Sequence, residues 1–567
     1  MNTSTAMWRA PLLLVVGLGV LAVLAAASPT PPPAVDDSGE YSALPEGFIF
    51  GAGSSAMQTE GAATEGGKGM SVMDYIVANS GELPPGAPSL VPPDRAADSY
   101  HRYKEDVEMA AQLKLQAYRF SVDWSRLFPD GNISNPNPEG VQYYNNVIDE
   151  LVKNNIQPMV TMNHFDYPLA VMRRTGGWTD PRIVPAFEEY AGFLFRTFGD
   201  RVKLWTTVNE PNYYCMNFAV IELPGLYTRQ PGDDYKCSHH TVLAHAAAYR
   251  LYEREFKATQ QGRVGAAALT LWATPNSTKY EDIQAAERTN LYTLGAIYGP
   301  LVHGDYPELM KRNILKKSLE EGLTESRLPT FTPEQKELIR GAADFLSFNA
   351  YMANVMADNS HAPKTSQYGD MASDRDAIET SARPATPGNM QGMFEHCTPE
   401  VLREATMWIR DNYDMPIFIT ENGWGDEGIH GNLPMHDEPY RSAYHSEYLR
   451  TLIKTIKEDN VNVIGYLAWS LLDSYEWTAN YGRRFGLVHV DYENGTLART
   501  LKDSAWFFQH IGETRRIPVL TFPSDDPSDG TTTTTTTTTA APSSGDFALP
   551  SLRAVLAALA ALLWLQR

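Results

Sequence analysis

Cysteine is nearly absent from this chain. Three residues, Cys215, Cys237 and Cys397, occur in 567, too few for a disulfide scaffold. In an oxidising compartment they allow one bridge and leave one thiol over. Cys215 with Cys237 closes a short loop and is the pairing adopted, with the other pairings open. Basic side chains are also in deficit: 47 Lys and Arg face 68 Asp and Glu, a net charge of −21. Nucleic-acid and anionic-membrane surfaces call for clustered cations, so neither is an expected partner. No phosphate-binding glycine loop follows the first strand-like run, because Gly51-Ala52-Gly53-Ser54 lacks the third glycine of a dinucleotide fingerprint. Neither a cofactor nor a metal is expected. Between about Tyr41 and Val519 no low-complexity linker interrupts the chain, and 41–519 reads as one domain.

The two ends depart from that pattern. Arg9 precedes the apolar run Leu12 to Ala27, and Ala25-Ala26-Ala27 offers the small residues of a cleavage site. Residues 1–27 read as a secretory signal peptide and 28–40 as a Pro-rich leader linker. Residues 520–545 hold nine consecutive threonines, Thr531 to Thr539, the composition of an O-glycosylated stalk. The small residues Ser543, Ser544 and Gly545 precede a spacer and the apolar run Ala554 to Leu565. That run is too short to span a bilayer, and 546–567 read as a GPI-attachment signal. The expected product is an extracellular, GPI-anchored glycoprotein, with sequons at Asn132, Asn276 and Asn494.

Inside the domain, short apolar runs alternate with longer amphipathic ones. The strand-like runs are Gly47–Ser54, Ala117–Val122, Gln157–Asn163, Leu204–Val208, Arg263–Leu271, Asp344–Asn349, Met415–Thr420 and Ile464–Ser470. Helical spacing marks Tyr103–Leu115, Gly140–Asn154, Ile183–Phe198 and Pro439–Asp459. Eight strand–helix repeats predict an α/β fold, the (β/α)8 TIM barrel, with its site at the C-terminal ends of the strands.

Polar residues cluster at those ends. Strand one runs into Gln58-Thr59-Glu60, strand two carries Arg119 and ends near Trp124, and strand three reaches His164-Phe165-Asp166. Strand four ends at Asn209-Glu210, strand six at Asn349-Ala350-Tyr351 and strand seven at Glu421. Strand eight carries Trp469, followed by Asp473, Glu476 and Trp477. Two carboxyl groups facing each other across a barrel mouth are what glycoside hydrolysis requires: one protonates the leaving oxygen and the other attacks the anomeric carbon.

At these positions the chain resembles the family 1 glycoside hydrolases, the β-glucosidase family, over roughly residues 41 to 515. Thr-Val-Asn-Glu-Pro (207–211) is similar to the family's acid/base motif and Ile-Thr-Glu-Asn-Gly (419–423) to its nucleophile motif. Tyr118–Arg126, Gly465–Trp477 and Arg484–Leu487 add to the likeness. The resemblance implies a retaining β-glycosidase acting on terminal β-D-glucosyl residues, with galactosyl and fucosyl residues as alternatives. It makes Glu210 the general acid and base, and Glu421 the nucleophile. Asn209 would hold the sugar 2-hydroxyl, while Gln58, His164 and Glu476 would bind other hydroxyls and Trp469 and Trp477 would frame the ring. Arg119 and Tyr351 would bond to Glu421, lowering its pKa, with Asn349 in support.

Single positions discriminate further. Plant-type myrosinases carry Gln at the acid/base position, whereas this chain has Glu210. The 6-phospho-glycosidases place a Ser/Lys/Tyr clamp after strand eight, where this chain has Glu476-Trp477. Phe165 replaces the family's usual Trp, and the Trp that usually follows strand six has no counterpart before Thr406. The sugar pocket thus follows the family and the leaving-group side departs from it. The rivals to an O-glycosidase are a myrosinase-like thioglucosidase and a klotho-like, non-catalytic cell-surface receptor. The expected partner is a small β-glycoside, with membrane contact only through the anchor and a homodimer left open.

Overall fold

The computed structural model describes residues 35–80, 90–223, 225–362, 369–383, 397–426 and 435–520. The signal peptide, the threonine stalk and the GPI signal lie outside the described residues, as does most of the leader. Asp36 and Asp37, within the stretch read as a linker, are tied to the domain. Val519 donates its amide to the Asp36 carbonyl (2.7 Å), and His510 bonds the Asp37 carboxylate (2.8 Å).

The strands are β1 (Ile49–Gly53), β2 (Ala117–Ser121), β3 (Gln157–Asn163), β4 (Leu204–Asn209), β5 (Arg263–Pro275), β6 (Phe345–Asp358), β7 (Ala377–Ala382), β8 (Ile417–Asn422), β9 (Val463–Trp469), β10 (Val488–Val490) and β11 (Arg499–Leu501). Eight of them, β1 to β6 with β8 and β9, form a parallel barrel in chain order, closed by the pairing of β1 with β9. β7 is an antiparallel addition to the outer half of β6, and β10 pairs with β11. Strand–helix alternation exposed the barrel because each parallel strand needs a long crossover to return to the same edge. It did not expose β7, β10 and β11, which break that rhythm, or the extension of β5 and β6 past the barrel rim.

Packing inside the barrel sorts by level. Ala117, Met159, Leu204, Phe345, Phe418 and Leu467 form a fully apolar floor. Room for its two phenylalanines comes from glycines. A Cβ on Gly265 would lie 2.3 Å from the Phe345 ring, and one on Gly465 would lie 2.6 Å from the Phe418 ring. Two residues further along the strands the interior turns polar. Arg119 donates from Nε to Thr161 Oγ1 (2.9 Å), which in turn bonds Thr206 Oγ1 (2.9 Å). A buried guanidinium demands acceptors, and it finds them one level higher, where the strands end.

Outside, amphipathic helices cover the strands. Ile183–Phe198 falls at its predicted bounds, while the others shift by one to four residues, as Pro138–Lys153 does. Asn137 caps that helix and Pro138 starts it with a pre-set φ. Cys215 and Cys237 are joined in a buried disulfide linking the helices Pro211–Met216 and Asp233–Glu255, and Cys397 is buried outside that bridge.

Candidate active site

Strict alternation along β4 and β8 would turn the key residues the wrong way. Leu204 and Thr206 point inward, so Asn209 should face the helices; Phe418 does too, so Glu421 should as well. The register shifts between Thr206 and Asn209 in β4, and between Ile419 and Asn422 in β8. Such irregularities re-aim side chains, and here they bring Asn209 and Glu421 inside. Asn422 turns out instead, bonded to the hydroxyls of Tyr444 (2.9 Å) and Tyr466 (2.6 Å).

Glu210 sits just past β4 with a left-handed backbone (φ 45°), a conformation that a non-glycine residue adopts only when its surroundings impose it. Two restraints do so. Its amide donates to the Ala267 carbonyl of β5 (2.9 Å), and Pro211 starts a helix immediately after it.

The two glutamates receive opposite treatment. Arg119 Nη1 and the Tyr351 hydroxyl both donate to Glu421, the latter at 2.7 Å. Glu210 accepts one bond, from Asn349 Nδ2 (2.6 Å). Asn209 Oδ1 accepts from Arg119 Nη2 (2.6 Å) and from Asn349 Nδ2 (3.2 Å), so one network spans both carboxyl groups. Burial pushes Glu210 up to about 8, helped by the negative charge of Glu421. Burial raises Glu421 as well, against the opposing pull of Arg119 and Tyr351. Arg119 and Tyr351 lower the Glu421 pKa, as donors to a carboxylate do, but desolvation outweighs them and leaves it raised. The proton is therefore held on Glu210, the less compensated partner.

Around the pair lies a cavity of about 190 Å³. Gln58, His164, Asn209, Glu210, Tyr351, Glu421, Trp469, Glu476 and Trp477 all line it. Arg119 and Asn349 stand behind, acting through bonds to the others. The His164 ring is stacked with Trp469 (5.9 Å between centroids) and Trp477 (6.3 Å), and burial keeps it neutral, its pKa well below the usual range. Gln58 is oriented by its bonds to Ser55 (2.6 Å) and to the Tyr475 carbonyl (2.8 Å). Burial pushes the Glu476 carboxyl to about 8, with Ser474 donating to it (2.9 Å).

Other strand-end polar residues are structural. Glu60 pairs with Arg126 (2.8 Å), Asp473 pairs with Lys502 (2.7 Å), and Trp124 stacks on Tyr190. Phe165 packs against Tyr214 and Trp477, supplying apolar wall without an indole donor. Tyr213, Phe218, Leu269, Leu271, Met352, Thr478, Arg483 and Phe485 also line the cavity and were not among the expected site residues. Strand five drew no attention because its end carries no carboxyl, amide or imidazole side chain. The sequon residues Asn132, Asn276 and Asn494 are all exposed.

A closed parallel barrel with paired carboxyl groups and a sugar-sized cavity at its C-terminal mouth defines a glycoside hydrolase of the TIM-barrel class. The family follows from comparison: residues 40–517 match the model of glycosyl hydrolase family 1, and the chain belongs to that family. It is 38% identical over 475 residues to Myrosinase 1 of Brevicoryne brassicae, covering 83% of this chain and 98% of that one. It is 39% identical over 472 residues to Beta-glucosidase 42 of Arabidopsis thaliana, covering 82% and 93%. Among solved structures, an aphid myrosinase superposes with a TM-score of 0.75 at 36% identity, over 83% of this chain and 99% of that one. A rice β-glucosidase, Os3BGlu6, gives 0.74 at 35% identity, over 82% and 98%. The protein is a retaining β-glycosidase.

Proposed function

We propose that this enzyme hydrolyses terminal β-D-glucosyl residues from O-glycosides, with Glu210 as acid/base and Glu421 as nucleophile. The observation that carries the assignment is the unequal pairing of the two buried carboxyl groups. Glu421 faces a guanidinium and a phenol, whereas Glu210 faces one amide.

In the first step Glu210 gives its proton to the glycosidic oxygen while a Glu421 oxygen bonds to the anomeric carbon. The carbon–oxygen bond to the leaving group breaks, and the alcohol departs with the proton. Esterified Glu421 carries no charge, so the repulsion that raised Glu210 disappears and its pKa falls. The Glu210 carboxylate then takes a proton from water, whose oxygen attacks the anomeric carbon and breaks the ester. Two inversions leave the sugar with its original configuration. Asn209, fixed by Arg119 and Asn349, is placed to hold the 2-hydroxyl, where bonds strengthen toward the transition state. Gln58, His164 and Glu476 bind the remaining hydroxyls, and Trp469 and Trp477 frame the ring.

A 2-deoxy-2-fluoro-glucosyl fluoride should arrest the enzyme as a glycosyl ester, and peptide mass spectrometry should place the added mass on Glu421. Label on another residue would overturn the assignment. The likeness to the aphid myrosinase supports a second reading, cleavage of thioglucosides. A carboxyl acid at position 210 favours O-glycosides, whose leaving groups need a proton. The receptor reading finds no support, since both glutamates are present and line one cavity.

Secretion and a GPI anchor complete the proposal. Both rest on the composition of 1–27 and 520–567. Among the described residues no helix is long and apolar enough to cross a membrane.

A further inference from the structure

Leu269 and Leu271 of β5 and Met352 of β6 make up one stretch of the cavity wall. Order around the barrel puts β5 opposite β1, which leads to Gln58. Register sets the heights. Leu269 pairs with Asn349, which pairs with Glu421, so Leu269 lies level with the catalytic carboxyl groups. Leu271 comes two residues further along the strand, toward the mouth, and Met352 follows Tyr351 on the neighbouring strand. All three line the cavity.

This wall has little to offer a hydroxyl group. The Leu269 amide donates to Asn212 Oδ1 (3.0 Å) and its carbonyl accepts from Asn212 Nδ2 (2.8 Å), so its backbone groups are already engaged. The indole that follows, Trp272, is turned away, donating to Glu404 (2.7 Å) and packing edge-on to Trp408. Among the described residues the outer lining also carries polar groups at Tyr213, on the helix after β4, and at Thr478 and Arg483, from the loop after β9.

Resting on the glycosidase reading, we propose that Leu269, Leu271 and Met352 select an apolar alcohol, of alkyl or terpenoid type, as the leaving group in preference to a second sugar. A saccharide leaving group would lay several hydroxyls against aliphatic carbon and lose their water without replacement, and polar groups left unpaired in this way discriminate strongly. An alkyl or alicyclic leaving group instead gains apolar contact along β5.

The test compares kcat/KM of the full chain for octyl β-glucoside and cellobiose, which share one glucosyl group and one active site. Octyl β-glucoside should be favoured at least about tenfold, and Leu271→Asn and Met352→Gln should each cut that ratio by about tenfold or more. The ratio does not depend on how much of a variant folds, since both substrates see the same active fraction. Equal or better use of cellobiose by the parent, or a ratio untouched by both variants, overturns the proposal. Dinitrophenyl β-glucoside, whose departure needs no acid, separates the two failures. If the parent cleaves it while the octyl preference is absent, the leaving-group inference alone is wrong. If the parent does not cleave it, the glycosidase reading falls and the inference with it.

Discussion

A carboxyl group desolvated beside another carboxylate holds its proton at neutral pH, and Glu210 is such a group. Replacing it with Ala removes general acid catalysis, typically worth about 10²–10⁴-fold, but only where the leaving group needs protonation. Alkyl glucosides should therefore slow by that order, while dinitrophenyl glucoside should show a burst followed by a slow steady state. Comparing the two by stopped flow checks this. The same residue sets the alkaline limit. Its acid form is lost as pH rises through about 8, so kcat/KM should fall above that pH. Asn349 donates to the Glu210 carboxylate and favours its charged form, lowering its pKa. Asn349→Ala should therefore move the alkaline limb to higher pH, read from a pH–rate profile, alongside a loss of kcat from the freed Asn209. An alkaline limb that stays in place would detach Asn349 from Glu210.

The elements carrying the site are held from outside the barrel as well as inside. Glu210 leads straight into the helix Pro211–Met216, which ends beside Cys215, and the disulfide fastens that helix to Asp233–Glu255. Closing a loop with a sequence separation of 22 restricts the unfolded chain by about 3 kcal/mol on the entropic model. The double variant Cys215→Ala, Cys237→Ala should lose stability of that order in a denaturant titration. Its kcat should fall too, because the strained Glu210 backbone loses one of its outer supports. If stability falls while kcat is untouched, the bridge serves the fold alone. The register shifts at Asn209 and Glu421 are the other device at this scale: the bulges break alternation where chemistry needs an inward side chain.

On the scale of the whole molecule, the acidic balance of −21 fits a solvated exterior and a neutral substrate. The proposed anchor predicts that phosphatidylinositol-specific phospholipase C releases activity from intact cells into the medium. Activity that stays with the membrane after that treatment, or is free without it, would remove the anchor. Residues 40–517 match one family, and Asp36 and Asp37 contact Val519 and His510 near the end of that stretch.

The barrel was legible in the sequence, because eight strand–helix repeats admit few parallel closures, and the flanking motifs pointed to the pair Glu210 and Glu421. The sequence by itself also marked Gln58, His164, Asn209, Tyr351, Trp469, Glu476 and Trp477, which the cavity brings together. Tertiary structure alone decided three further things. It separated the cavity-lining residues from Glu60, Asp473 and Trp124, since a strand-end carboxylate looks the same in sequence whether it faces a cavity or an Arg. It set the protonation order, because desolvation depends on what surrounds a group in space. It revealed the aliphatic wall of Leu269, Leu271 and Met352, since an apolar residue on a strand reads as core until the neighbour that would cover it proves to be a cavity.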